Sequence, residues 1–168
     1  MRRVRAVPSA TDFTEVFIGT HEKTIIVPEG KMAMYAFSIH WPSQPELNME
    51  RSIRARPYTE RSYMKTFTVC SAVLRALQLA REHSISHVRF FTMHRCSITF
   101  IEEERAFFNA DRPVYLLRMA RTISLFKQGL VTQMLFRSST DSTIVEANAK
   151  AEVQLTKDLD FELKGSHE

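Results

Sequence analysis

The residues best suited to a function, by their types and their spacing, are basic side chains interleaved with tyrosines. They fall between positions 51 and 65, in the order Arg51, Arg54, Arg56, Tyr58, Arg61, Tyr63 and Lys65. Guanidinium and ammonium groups pair with phosphates, and tyrosine rings stack on nucleobases. The segment therefore predicts contact with a nucleic acid, and the alternative is a solvated, positively charged loop. A basic arm at Arg2, Arg3 and Arg5 either steers toward nucleic acid or is a plain tail.

Other groups that often carry chemistry are present without the spacing that a site needs. The one histidine pair at helical spacing, His83 and His87, falls across a predicted loop, so a metal site is not indicated. Cys70 and Cys96 give neither a disulfide framework nor a metal-binding motif. The four glycines are too scattered to form a phosphate-binding loop. We therefore expect no cofactor and no bound metal.

Two adjacent aromatic residues beside an acidic run form a candidate contact for a partner protein. Phe107 and Phe108 follow three glutamates at positions 102–104. Aromatic side chains are enriched at the centres of protein interfaces. The alternative is that at least one of these rings packs in the core. A protein partner of unknown identity is therefore one prediction.

The composition is that of an ordinary globular domain rather than a disordered or fibrous chain. Of 168 residues, 44% are hydrophobic and 25% are charged, with a net charge of +4. No apolar run reaches the roughly 18–20 residues that a membrane span needs. The basic N-terminus lacks the apolar centre of a secretory signal. We therefore expect an intracellular protein, nuclear or cytoplasmic, without membrane contact.

The hydrophobic periodicity predicts strands first, and strands that alternate with helices afterwards. Strands are expected at 13–19, 24–27, 32–41, 47–54, 87–92 and 130–136, and helices at 61–83, 96–104, 114–128 and from about 139 to 157. This order indicates an α/β domain with a mixed sheet and helices on its faces. The predicted organisation is a flexible basic arm at 1–12, one domain at 13–157, and a C-terminal tail at 158–168.

Four passages in this order resemble the ribonuclease H domain of the eukaryotic kind. They are YAFSIHW at 35–41, AVLRALQLAR at 72–81, ISHVRFFT at 85–92 and EANAKA at 146–151. The resemblance implies a ribonuclease H-like mixed five-stranded sheet flanked by helices. It also implies a relationship to enzymes that cut the RNA strand of an RNA–DNA hybrid with two metal ions held by four carboxylates.

Transferred residue by residue, the four carboxylate positions of the family fall on residues without a carboxylate. They fall on Ile18, Val69, Met93 and Asn148. No Asp or Glu occurs between positions 61 and 81 or between 83 and 101, around the second and third of these positions. Two divalent cations need several anionic oxygens to hold them. The resemblance therefore predicts a catalytically degenerate member, not an enzyme, with no catalytic residues.

Two functional hypotheses follow from the sequence, and a third, an active hydrolase with relocated acids, is disfavoured by what two-metal chemistry demands. The first is a pseudoenzyme domain that acts as a protein-interaction scaffold in a nucleic-acid-related complex. The alternative is a protein that binds RNA or an RNA–DNA hybrid through residues 51–65 without cleaving it.

Overall fold

A mixed five-stranded sheet with helices on both faces forms the body of the protein. The computed structural model describes residues 12–28, 30–54, 61–103 and 112–165. The elements in chain order are β1 (Thr14–Val27), β2 (Gly30–His40), a short 3-10 turn (Pro45–Leu47), β3 (Met49–Arg54), α1 (Arg61–Glu82), β4 (His87–Thr92), α2 (Arg95–Glu102), α3 (Val114–Lys127), β5 (Val131–Phe136) and α4 (Ser142–Gly165). The strands lie side by side in the order β3-β2-β1-β4-β5. The predicted fold class is confirmed.

The sheet changes from antiparallel to parallel at β1. This strand pairs antiparallel with β2 on one side and parallel with β4 on the other. The sequence predicted two short strands at 13–19 and 24–27, whereas the structure has the single strand β1. The polar residues between those pieces stay extended because each has a partner on β2, such as His21 opposite Ala36. Cross-strand pairing here outweighs the weak local pattern.

Helix α1 covers one face of the sheet and builds the main core. Val69, Val73, Leu77 and Ala80 are buried and recur at three- and four-residue spacing, which places them on one side of the helix. They pack against inward side chains of the central strands, including Ile18. Leu74, on the same helix, is partly buried at the edge of this core.

Helix α4 covers the opposite face of the antiparallel half of the sheet. Asp141 caps it, because the carboxylate accepts hydrogen bonds from the backbone N–H groups of Thr143 and Ile144 at 3.1 Å. The helix was predicted to end near position 157 and instead continues to Gly165. Leu159 explains the extension, since it is buried against Met34 in a cluster on this face. The helix therefore runs through part of the segment assigned to the C-terminal tail.

The remaining helices close the parallel half of the sheet from the α1 side. Helix α3 ends at Lys127, and Gly129 follows with φ of 80°, the left-handed conformation that stops helices. Helix α2 ends at Glu102, two residues before its predicted end. No helix in the described part of the chain is long and apolar enough to cross a bilayer.

Candidate functional site

The candidate site is a pocket where β1 and β4 stop pairing. Their parallel register runs from Thr14 opposite Val88 to Phe17 opposite Phe91. Strand β4 ends at Thr92, whereas β1 continues as half of the hairpin with β2. The gap opens at the carboxyl end of β4, which is the edge of an open α/β sheet where ligands commonly bind. We call the space there the cleft pocket.

The cleft pocket has a volume of about 250 Å³ and is walled by β1, β2, α1 and the residues that follow β4. Its lining residues are Thr20, His21, Glu22, Tyr35, Lys65, Thr68, Val69, Met93 and His94. The residues from α1 stand three and four positions apart, so they share one helix face. Tyr35, Val69 and Met93 make part of the wall apolar, while Glu22 and Lys65 are its charged groups and His94 adds a polar ring.

One ion pair and one histidine set the electrostatics of the cleft pocket. Lys65 Nζ lies 3.7 Å from Glu22 Oε1, and both side chains are partly exposed to solvent. His94 donates its backbone N–H to Thr92 Oγ1 at 3.2 Å, and its ring Nδ1 pairs with Ser97 Oγ at 2.5 Å. Burial lowers the pKa of His94, and the nearby Lys65 cation lowers it further. The ring is therefore neutral at pH 7.

Asn148 joins α4 to the two strands that open the cleft. Its Oδ1 accepts a hydrogen bond from the backbone N–H of Thr20 at 2.9 Å. Its Nδ2 donates to Met93 Sδ at 3.5 Å. The helix reaches β1 this closely because Gly19 lies beneath it: a Cβ at position 19 would sit 2.2 Å from the Ala147 carbonyl carbon. The glycine thus permits the contact that places Asn148 at the cleft.

Three of the four positions named from the resemblance lie at this cleft, and the fourth, Ile18, lies in the core. Ile18 and Val69 are buried in the same core cluster. Val69 and Met93 line the cleft pocket, and Asn148 contacts Met93. The structure therefore brings Val69, Met93 and Asn148 together, and the equivalence of all four positions to the carboxylates of the family stays a prediction.

Comparison with known proteins gives a match in structure. No protein-family model matches the chain, and no curated protein matches it in sequence. The chain superposes on the foamy virus protease–reverse transcriptase with a TM-score of 0.56 and 15% identity, over 94% of this chain and 22% of that one. It superposes on RNase H1 of the archaeon Halobacterium salinarum with a TM-score of 0.53 and 13% identity, over 85% of this chain and 98% of that one. The chain has a ribonuclease H-like fold.

A third match comes from a complex with nucleic acid. LC11-RNase H1 in complex with an RNA/DNA hybrid superposes with a TM-score of 0.53 and 12% identity, over 86% of this chain and 99% of that one. The ribonuclease H-like domain thus spans nearly all of the two RNase H1 chains but only about a fifth of the viral one.

The prediction that the chain is not an enzyme is wrong in the light of these matches. The structures that share its fold include RNase H1 proteins, one of them bound to a hybrid. Sequence identities of 12–15% show the fold alone, so they do not support the assignment of the four carboxylate positions residue by residue. Five further acids lie outside the described residues, namely Glu29, Glu60, Glu104, Asp111 and Glu168.

Metal binding was tested on the donors that the structure describes. Within the described ranges, no group of three or more His, Cys, Asp or Glu side chains is arranged to hold a metal ion. Glu22 is the carboxylate that lines the cleft pocket, and it is paired with Lys65. This donor set does not fit the paired metal ions that the fold family implies, so we derive no metal-dependent step from it.

The predicted basic segment does not form one surface in its described part. Arg51 and Arg54 lie on β3 opposite Phe37 and Met34, which belong to core clusters on opposite faces of the sheet. The two arginines therefore point to opposite faces. Arg56 and Tyr58 lie outside the described residues, as does the side chain of Arg61. Lys65 lines the cleft pocket.

Phe107 and Phe108, the predicted partner contact, also lie outside the described residues. The predictions for these rings, and for the basic arm at Arg2, Arg3 and Arg5, therefore have no structural counterpart here.

Two arginines and a histidine near the cleft were missed by the sequence analysis. Arg95 begins α2 just after β4, and Arg137 follows β5, with its backbone N–H bonded to Thr92 O at 3.0 Å. His94 stands between Met93 and Arg95. A signal was present, because all three follow the carboxyl ends of neighbouring parallel strands and such ends meet at one edge of a sheet.

Proposed function

We propose that this ribonuclease H-like domain binds nucleic acid, as an RNA–DNA hybrid or an RNA strand, across the face that carries the cleft pocket. The observation that carries the proposal is the set of exposed cations around the cleft. Arg95 and Arg137 are exposed, and Lys65 is at the pocket. A phosphate backbone laid over this face would meet positive charge on both sides of the opening.

The way the two arginines are held supports the same proposal. The guanidinium carbon of Arg95 lies 3.8 Å from the centroid of the Phe136 ring, and that of Arg137 lies 4.5 Å from the centroid of Phe91. A guanidinium stacked on a ring keeps its N–H donors in its own plane, where they can reach phosphate oxygens. The stacking also restricts the side chain, so less conformational entropy is lost on binding.

The fold adds support of a coarser kind. One solved structure with this fold is an RNase H1 bound to an RNA/DNA hybrid, and another is a viral reverse transcriptase. The eukaryotic type, and a nuclear or cytoplasmic location, stay predictions of the sequence.

Fluorescence anisotropy with labelled hybrid, single-stranded RNA and duplex DNA tests the proposal. We expect affinity for hybrid or RNA to fall steeply with salt, because bound phosphates release counterions. Changing both Arg95 and Arg137 to Ala should weaken binding and reduce the log–log salt slope by about 2, roughly one unit for each phosphate contact. The matched control is Arg121→Ala on the exposed side of α3. Equal losses in the control, or no binding to any of the three probes, would contradict the proposal.

The same samples, incubated with Mg²⁺ or Mn²⁺, report directly whether the hybrid is cut.

A protein partner is a second candidate, and the free edge of the sheet favours it. Strand β5 is the last strand, and Val131 and Leu135 on it are exposed. Half-exposed Val145 and Val153 on α4 add apolar surface. A strand without charged residues at a sheet edge is a ready site for another chain. Fixed-ratio capture of a partner, lost on Leu135→Lys and retained on Ile26→Lys at an exposed position of β1, would support this role.

A further inference from the structure

On the basis of the nucleic-acid binding proposed above, we propose that the cleft pocket accepts a single unstacked nucleobase from the bound strand. The pocket would then read or hold one base while the surrounding cations hold the backbone. Protein sites of this kind take bases out of the stack and place them between apolar or aromatic side chains.

The size of the cleft pocket suits one base. Its volume of about 250 Å³ equals roughly eight water molecules at the liquid volume of ~30 Å³ each. That space admits one planar ring system with part of its sugar, and it excludes a base pair. A bare metal ion or a lone phosphate would leave most of it unfilled.

The walls of the cleft pocket suit a planar ring. Val69 and Met93 give apolar contacts, and the Tyr35 ring closes the β2 side. The thioether of methionine makes favourable contacts with aromatic rings. Met93 is held in place by the hydrogen bond from Asn148 Nδ2 at 3.5 Å. A phosphate placed against these walls would lose its hydration without replacement, which is costly for a charged group.

Polar groups stand where the edge of an inserted base would meet them. His94 has its Nδ1 engaged with Ser97, so Nε2 is the ring nitrogen left for a ligand. The Glu22 carboxylate lines the same pocket and can accept from an exocyclic amino group. Lys65, 3.7 Å from Glu22, supplies a cation for the phosphate attached to that base. The pocket thus combines apolar faces with a few hydrogen-bonding groups, as small-ligand sites do.

A short single-stranded RNA that carries 2-aminopurine is the probe, because the fluorescence of this base changes when it leaves the stack. We expect its emission to change on binding the unmodified protein. Met93→Ala and His94→Ala should suppress that change and weaken binding. Replacing the probed base by an abasic site should lower affinity about 5- to 150-fold, the range for loss of one stacked base.

Met119→Ala on α3 is the matched control, since it truncates a partly buried methionine away from the cleft. It should leave both emission and affinity unchanged, and thermal unfolding of each variant shows that the fold is kept. The base pocket is overturned if RNA binds and its emission changes by the same amount in both cleft variants as in the unmodified protein. It is also overturned if the abasic strand binds with the same affinity as the strand that carries the base. In either case the proposed function still stands. Binding of the hybrid without binding of this RNA overturns the base pocket alone, whereas no binding to either one overturns both.

Discussion

At the scale of single residues, Gly19 decides how closely α4 approaches the sheet. An added Cβ would lie 2.2 Å from both the carbonyl carbon and the carbonyl oxygen of Ala147, which are backbone atoms of a packed helix. On the other side of this contact, Ser38 Oγ donates to the same carbonyl at 2.6 Å. Neither partner can move aside without breaking the layer of α4 on β1 and β2.

We therefore expect Gly19→Ala to destabilise the protein by about 1–3 kcal/mol, the usual cost of overpacking a core. Urea unfolding followed by circular dichroism measures the change. Ala149→Ser, on an exposed position of α4, serves as the control and should stay within about 0.5 kcal/mol of the unmodified chain. A free energy of unfolding that is unaltered by Gly19→Ala would refute the close contact.

His94 makes the stability of the cleft dependent on pH. Burial, and then Lys65, lower its pKa below the ordinary value of 6.5, so the unfolded chain binds a proton at a pH where the folded chain does not. The folded state is therefore favoured fully above the unfolded pKa, and this advantage declines as pH falls below it toward the folded pKa. His40 has its pKa lowered as well, first by burial and then by Lys150, and acts in the same direction.

We expect the free energy of unfolding to fall between pH 7.5 and pH 5.5, and His94→Gln to make that fall smaller. Urea unfolding at the two pH values measures the difference. His83→Gln, on the exposed turn after α1, is the matched control and should leave the fall as it is. An equal pH dependence in the unmodified and His94→Gln proteins would show that the ring is not shielded.

At the scale of elements, α4 stabilises the sheet beyond the end that its sequence pattern suggests. Ala151, Leu155 and Leu159 follow each other at four-residue intervals and pack against Met34 and Ala36 of β2. The last of these side chains lies past position 157, where the local sequence becomes strongly charged. Packing against the sheet, rather than local helix propensity, keeps this part of the chain helical.

Leu159→Ala should therefore lower the free energy of unfolding by about 2 kcal/mol, the low end for truncating a buried leucine, because the site is at the edge of the core. A chain that ends at position 157 should lose at least as much. Val153→Ala, on the half-exposed side of the same helix, should change stability little. If the shortened chain were as stable as the full one, the helix beyond 157 would contribute nothing to the fold.

At the scale of the whole molecule, the helices that cover the two faces of the sheet both reach the opening at the end of β4. Helix α1 packs on one face of the sheet and α4 on the other, and both reach the end of β4. The opening exists because β1 continues past β4 and the chain must leave the sheet there. Lys65 of α1 lines this opening, Arg95 begins α2 next to it, and Arg137 follows β5 and stacks on Phe91 at the α4 face. The salt dependence expected for nucleic-acid binding is a property of this whole face, since it sums contributions from separate elements.

The parts of the fold that depend on local pattern were predictable. The face of α1, the glycine after α3, the acidic cap of α4 and strand β4 all follow from residue spacing and turn chemistry. The two pieces assigned to β1 and the end of α4 were not predictable, because a partner strand and a buried Leu159 stabilise them from elsewhere in the chain.

The candidate site, like the fold, was only partly predictable from the sequence. The sequence alone drew attention to Lys65 through the basic segment, and to Val69, Met93 and Asn148 through the residue-by-residue transfer from one family. The tertiary structure decided that Lys65, Val69 and Met93 share one pocket with His94, that Asn148 contacts Met93, and that Arg51 and Arg54 point to opposite faces of the sheet. Sequence fixes what each short segment prefers, whereas a pocket forms between segments far apart in the chain, whose contacts depend on the packing of all the others.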